Sequence, residues 1–296
     1  DVTVYVRAWF TPKQMHHYGR VRLVHMPSIH TKNLDTITHV FFSLFHAVRE
    51  KPDIIHIHGV GPALLSWIPR VFSPKIKVVV TFHCVDRLQK KWGLFARMML
   101  HIGEWAACRF PHKTIVVSRV LQTYCRDTYQ AVTEHISNGV IPQCFPPGAM
   151  LATWHLKREK YVLVMSRLIP HKGVHYVIDA WKKLQSTFPR ALRGYTLVIG
   201  GGTYFGDAYL KDLERLAGDD ASIVFTGWVN GVDVGELMAN CALFIHPSDV
   251  EGLPITVLEA MACKRPVLVS DIPEHRELVH DRRLWFKRAN PTALAE

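Results

Sequence analysis

Several features are missing from this sequence, and each absence excludes a class of protein. No run approaches the roughly 20 uninterrupted apolar residues that a membrane-spanning helix requires. The opening stretch, Val2-Thr-Val-Tyr-Val-Arg7, reads as a strand and carries neither the basic nor the apolar region of a secretory leader. Cysteine is sparse and unpatterned: Cys84, Cys108, Cys125, Cys144, Cys241 and Cys263 form no CxxC pair. That spacing predicts neither a disulfide framework nor a zinc site, and fits thiols in a reducing cytoplasm. Internal repeats and low-complexity tracts are lacking as well. Acidic residues are scarce in one half only, with 18 Lys/Arg against 8 Asp/Glu over residues 1–155 but 18 against 17 over 156–296. Of the net +11, all but one charge therefore sits in the first half, which favours an anionic partner. No recognised module or aromatic-basic stripe accompanies it, so nucleic acid is not expected.

What is present reads as an α/β protein. At 296 residues, 48% hydrophobic and 21% charged, the chain can bury two cores and leaves little room for disorder. Apolar, β-branched runs at 54–58, 77–82, 114–117, 161–165, 196–199, 222–225, 243–246 and 266–270 alternate with amphipathic stretches. Such alternation predicts parallel sheets with helices on both faces. Gly and Pro cluster in Asn138-Gly-Val-Ile-Pro-Gln-Cys-Phe-Pro-Pro-Gly148, which predicts a linker and two domains, 1–150 and 151–296. Two doubly wound sheets side by side would turn the carboxyl ends of their strands toward a shared cleft.

Two strand-to-helix loops of the second half carry candidate chemistry. Arg167 and Lys172 lie in Ser166-Arg-Leu-Ile-Pro-His-Lys-Gly173, where free backbone amides and the positive end of a helix suit a diphosphate, although a solvated basic loop has the same composition. The second loop, Pro247-Ser-Asp-Val-Glu-Gly-Leu-Pro254, enters a helix with Glu251 before it and Glu259 inside it. Glu259 is the one charge in Ile255-Thr-Val-Leu-Glu-Ala-Met-Ala-Cys263, and a carboxylate in so apolar a helix needs donors, which vicinal sugar hydroxyls would provide. Gly200-Gly-Gly202 follows a strand without the GxGxxG of a dinucleotide site. A tight turn or a backbone contact from Gly201 to a donor both fit. His56 and His58 share one strand face, as two metal ligands would, but no carboxylate or cysteine supports them, so no metal and no cofactor is expected. The basic, aromatic stretch from Arg87 to Trp105 reads either as an interfacial helix on an anionic membrane or as a core helix with a solvated face.

Arg167…Lys172-Gly173, followed by the Glu-x7-Glu of Glu251 to Glu259, resembles family 4 of the retaining glycosyltransferases. The segments Ile55-His-Ile-His-Gly-Val-Gly61, Thr81-Phe-His83, Val117-Ser118, Asn138-Gly-Val140 and Ser270-Asp-Ile-Pro-Glu274 are similar to further recurring stretches of that family. The resemblance implies the GT-B fold, with two Rossmann-like domains facing a cleft. It implies sugar transfer from a nucleotide-sugar donor to a glycan or lipid-linked acceptor, with retention and without a metal, as in polysaccharide biosynthesis at the inner membrane face. It assigns Arg167 and Lys172 to the diphosphate, Glu259 to the ribose, Glu251 to the transferred sugar, Gly252 and Leu253 to backbone contacts, and His83 to the sugar from the acceptor side. Members usually have a strand and glycine-rich loop before the position of Asp1 and helices beyond that of Glu296, so a piece of a longer protein is expected. From the residues alone, another GT-B activity or a non-catalytic nucleotide-sugar or polyanion binder also stays open.

Overall fold

A computed structural model of the chain describes all residues except 32–33, 90–91, 142 and 204–206. The chain divides into two compact units, Asp1–Ile136 and Ser137–Glu296.

In the first unit, β1 (Val2–Val6), β2 (His17–Tyr18) and β3 (Val21–His25) form a small sheet in which β1 and β3 are parallel and β2 is antiparallel. Helix α1 (Asp35–Glu50) leads to β4 (Ile54–His58), and α2 (Val60–Ala63) and α3 (Trp67–Phe72) lead to β5 (Lys77–Phe82). After α4 (Leu94–Arg109) come β6 (Lys113–Val116), α5 (Arg119–Tyr129) and β7 (Glu134–His135). The four strands β4 to β7 lie in sequence order, all parallel. Val78, Val80 and Phe82 on one face of β5 are completely buried. The edge strand β4 buries Ile55 and Ile57 and turns His56 and His58 outward.

The second unit opens with α6 (Ala149–Thr153) and continues through β8 (Tyr161–Met165), α7 (Val174–Thr187), β9 (Thr196–Gly200) and α8 (Ala208–Ala217). Next come β10 (Ile223–Gly227), α9 (Val232–Asn240), β11 (Leu243–His246) and α10 (Ile255–Ala262). β12 (Val267–Ser270), α11 (Pro273–Leu278), β13 (Trp285–Phe286) and α12 (Pro291–Ala295) complete it. Its six strands run parallel in the order β10-β9-β8-β11-β12-β13. Side chains alternate across the sheet. Leu163, Met165, Val198, Phe244, Val267 and Val269 therefore pack with Leu237, Val257 and Ala260 on one face. Val164, Leu197, Ile199 and Ile245 pack with Val177, Trp181 and Leu213 on the other. Both faces are covered by helices, which is why these strands read as nearly continuous apolar runs.

The expected strands all form, but the division falls before residue 137 rather than near 150. The segment placed with the first domain by composition is held by the second unit's own groups. Glu236 of α9 accepts from the amides of Gly148 (2.7 Å) and Leu151 (2.8 Å), capping α6 from another element. Asn240 Nδ2 donates to the Phe145 carbonyl at 3.0 Å. Cys144 is joined to Cys263 by a disulfide. That bridge corrects the expectation of six thiols: Cys84, Cys108, Cys125 and Cys241 stay outside any disulfide, but two residues 119 apart meet because the linker lies against the end of α10.

Candidate functional site

In the second unit, counting β8 as the first strand, the sheet order reads third, second, first, fourth, fifth, sixth. The order reverses between β8 and β11, and ligands of open α/β sheets bind beyond the strand carboxyl ends at such a reversal. The two loops singled out in the sequence leave those two strands. After β8, a turn of 3-10 helix at Pro170–Lys172 is followed by Gly173 with φ +69°. A Cβ at Gly173 would lie 2.2 Å from the Pro247 carbonyl oxygen, so only glycine lets this loop rest against the loop after β11. The Asp249 amide donates to the His171 carbonyl at 2.8 Å and ties the two together.

This contact puts Lys172 Nζ on Glu251 Oε1 as an ion pair, with side chains only 14% and 10% exposed. Burial alone would raise the Glu251 carboxyl, but the charge of Lys172, aided by the Ser248 hydroxyl, outweighs it and holds the group well below the usual carboxylate range. Glu259, half-buried on α10, has no side-chain hydrogen bond among the described residues, and burial raises its carboxyl. Arg167 is exposed, and its guanidinium likewise has no partner among them. The amides of Gly252 and Leu253 precede α10, which lacks a side-chain cap, and they too are without acceptors among the described residues. The sequence-derived set of Lys172, Glu251, Gly252 and Leu253 thus gathers at one point, with Arg167 and Glu259 on the same loop and the following helix. Gly201 differs. Its φ of +123° and the 1.8 Å approach of a Cβ to the Ser166 carbonyl require glycine, but its amide already donates to Gly227 at 2.9 Å. The tight-turn reading describes it.

Two residues that sequence reasoning passed over lie behind Glu251. His246, the last residue of β11, is 1% exposed, and His275 of α11 is completely buried. His275 Nδ1 lies 2.7 Å from the Ser270 carbonyl, and its Nε2 lies 2.8 Å from His246 Nδ1. His246 Nε2 in turn lies 3.6 Å from Glu251 Oε1. Burial drives His246 well below its ordinary value and His275 to about 4. The available signal was position: a histidine closing a buried strand stands at the carboxyl edge where ligands bind.

In the first unit, His83 follows β5 and shares its edge with His58. His58 Nδ1 and His83 Nε2 are 3.0 Å apart, and His56 Nε2 is 2.7 Å from Thr81 Oγ1. Burial lowers all three imidazoles. His58 and His83 are joined to each other by a hydrogen bond, and no group of three or more potential metal ligands occurs among the described residues.

The basic stretch from Arg87 divides. Asp86–Leu88 is a 3-10 turn, Lys90 and Lys91 lie outside the described residues, and α4 starts only at Leu94. Arg87 does not join a basic face: its Nε donates to the buried Glu104 at 3.1 Å, and Tyr124 and Tyr129 donate to the same oxygen at 2.7 Å each. The outer face of α4 nonetheless exposes Leu94 (87%), Phe95 (73%), Met98, Ile102 and Trp105 beside Arg97 and Arg109. No helix among the described residues is long and apolar enough to cross a membrane.

Comparison with known proteins agrees with this geometry. The family described as Glycosyl transferases group 1 matches residues 153–296, and that described as Glycosyltransferase Family 4 matches 1–143. An uncharacterised glycosyltransferase of Methanocaldococcus jannaschii is 27% identical over 83% of this chain and 65% of its own length. A GDP-mannose-dependent alpha-(1-6)-phosphatidylinositol monomannoside mannosyltransferase of Mycolicibacterium smegmatis is 30% identical over 57% of this chain and 48% of its own. The chain thus spans less than two thirds of these relatives. Among solved structures, Anabaena HepE in complex with UDP and glucose superposes with a TM-score of 0.73 at 22% identity, covering 93% of this chain and 74% of that one. The matches to both halves, on a parallel sheet with its paired loops at the strand-order reversal, show that the chain belongs to the GT-B glycosyltransferases of the group 1, family 4 type.

Proposed function

We propose that this protein transfers a sugar from a nucleotide-sugar donor to a glycan or lipid-linked acceptor, with retention of anomeric configuration and without a metal ion. The observation that carries this reading is the meeting of Lys172 and Glu251 where the strand order of the second sheet reverses. Departure of the sugar leaves negative charge on the diphosphate. Arg167 and Lys172 counter that charge, and the amides of Gly252 and Leu253 add donors that need no reorganisation. Glu251, held ionised, accepts from hydroxyls of the transferred sugar, and Glu259 accepts from the ribose. His83 is the catalytic residue proposed in the first unit. Its low basicity keeps it neutral near pH 7, so it acts as a hydrogen-bonding group rather than as a cation. HepE is described with UDP and glucose, and the mycobacterial relative is named for a phosphatidylinositol-based acceptor, which supports a nucleotide-sugar donor and a lipid-linked acceptor here.

The test is a panel of UDP- and GDP-sugars against the parent and Glu259→Ala, followed by calorimetry and donor hydrolysis. Binding in the parent that weakens about 10- to 100-fold in the variant is expected for loss of a charged acceptor. No response to any donor in either form overturns the reading.

The outer face of α4 supports a second element of the proposal, attachment to an anionic membrane at the cytoplasmic side. Flotation with phosphatidylglycerol vesicles is expected to carry the parent, and much less of Leu94→Glu with Phe95→Glu. Equal flotation of both refutes it.

A further inference from the structure

Behind the donor loops, the hydrogen-bond directions can be followed from one fixed end. The Ser270 carbonyl can only accept, so His275 Nδ1 carries a hydrogen toward it. Neutral His275 then offers a lone pair at Nε2, which His246 Nδ1 must meet with its own hydrogen. What remains on His246 is Nε2, a lone pair facing the Glu251 carboxylate at 3.6 Å. Two acceptors thus face each other between side chains that are only 2% and 10% exposed. Such an arrangement has a place for one proton between them.

In the donor-free protein the charge of Glu251 is answered by Lys172. A diphosphate brings about two negative charges and competes for the same ammonium. Whether Lys172 swings away or shares its three donors, the hold on Glu251 weakens while the local potential becomes more negative. We propose that His246 takes up a proton at Nε2 when the donor binds and replaces Lys172 as the cationic partner of Glu251. His246 is thereby a positioning residue: it keeps the sugar-binding carboxylate ionised and in place while the lysine serves the phosphates. This rests on the donor reading above.

The titratable groups facing His246 are Glu251 from the loop after β11, Lys172 from the loop after β8, and His275 from α11, whose Nδ1 is in turn held by Ser270 at the end of β12. Glu274, also on α11, is a rival site of uptake. Burial raises its carboxyl, and the charges of Glu251 and Glu277 raise it further. The linkage has a definite sign. The donor complex holds more protons than the free protein, so affinity rises as pH falls and is lost as pH climbs through the His246 value of the complex. The limit for one proton is about tenfold per pH unit.

A nucleotide sugar is the proper probe, because its diphosphate diester does not titrate between about pH 5 and 8, unlike a free phosphate monoester. Its binding is measured by calorimetry at pH 7 in phosphate, HEPES and Tris, whose ionisation enthalpies differ. The slope of observed enthalpy against buffer enthalpy counts protons. The parent and Glu274→Gln are expected to take up a substantial fraction of one proton, and His246→Gln none. Nitrogen-15 imidazole spectra of the parent supply a readout that needs no variant: His246 should change from protonated at Nδ1 alone to protonated at both nitrogens. Donor binding with no proton exchange, or with His246 doubly protonated before the donor is added, overturns the inference and leaves the donor reading intact. Uptake lost in Glu274→Gln but kept in His246→Gln also overturns it. Failure of every nucleotide sugar to bind removes both.

Discussion

Replacing Lys172 by methionine keeps the stem and deletes the charge, which isolates the ion pair from its packing. Glu251, 10% exposed at its side chain, would then have only the Ser248 hydroxyl and the neutral His246, 3.6 Å away, and no cation beside it. Breaking a buried pair from one side costs about 3–5 kcal/mol because a buried charge is left uncompensated. In the parent the Glu251 carboxyl is depressed, so its contribution is present above the unfolded carboxyl value of about 4.3 and is lost as pH falls below it. In Lys172→Met the sign reverses. With the lysine gone, burial raises the carboxyl, and a proton taken up by Glu251 or His246 relieves the site as pH falls from about 8 to 6. A protonated His246 at 3.6 Å returns a gross attraction of about 4–5 kcal/mol at an effective dielectric of about 20. The assay is urea unfolding at pH 8 and pH 6, fitted as two transitions because the chain has two units. The variant should lose about 3–5 kcal/mol at pH 8 and regain part of it at pH 6. Lys172→Met combined with Glu251→Gln should recover most of the loss, since it removes both charges. A loss below about 1 kcal/mol at both pH values would refute the coupling, since that is the scale of an exposed pair.

Arg167→Ala should lower kcat/KM for sugar transfer by about 10²–10³ with no change in melting temperature, because the side chain is exposed and without a partner among the described residues. A parallel loss of stability would mean that the residue acts structurally. Gly173→Ala should cost about 1–3 kcal/mol in urea and weaken donor binding as well, since it combines a positive φ with a 2.2 Å approach to the Pro247 carbonyl. Unchanged donor affinity would show that the Lys172 loop needs no such support. Cys144→Ser should destabilise the oxidised protein by about 2–4 kcal/mol, and a reductant should reduce the parent to the same level. A parent indifferent to reductant would exclude the bridge.

The parallel α/β class was legible in the sequence because a strand buried on both faces must be apolar along its length, as Tyr161–Met165 and Leu243–His246 are. Glu251, Glu259, Arg167 and Lys172 stood out for a related reason: a charge beside apolar helix turns, or a cation before a helix start, is conspicuous in one dimension. The short strands β2, β7 and β13 carried no such signal, since two residues cannot establish a period. Tertiary structure alone decided which loops meet. Lys172 and Glu251 are 79 residues apart, and their pairing follows from the strand order that sets β8 beside β11 and from a glycine that lets the loops touch. The Cys144–Cys263 bridge, the capping of α6 by Glu236 and the chain from Ser270 through His275 and His246 toward Glu251 have the same origin. Sequence patterns report whether a residue faces a core or water. Partners among buried polar groups are set by the path of the chain, because each such group must find a donor or acceptor wherever the fold brings one within reach.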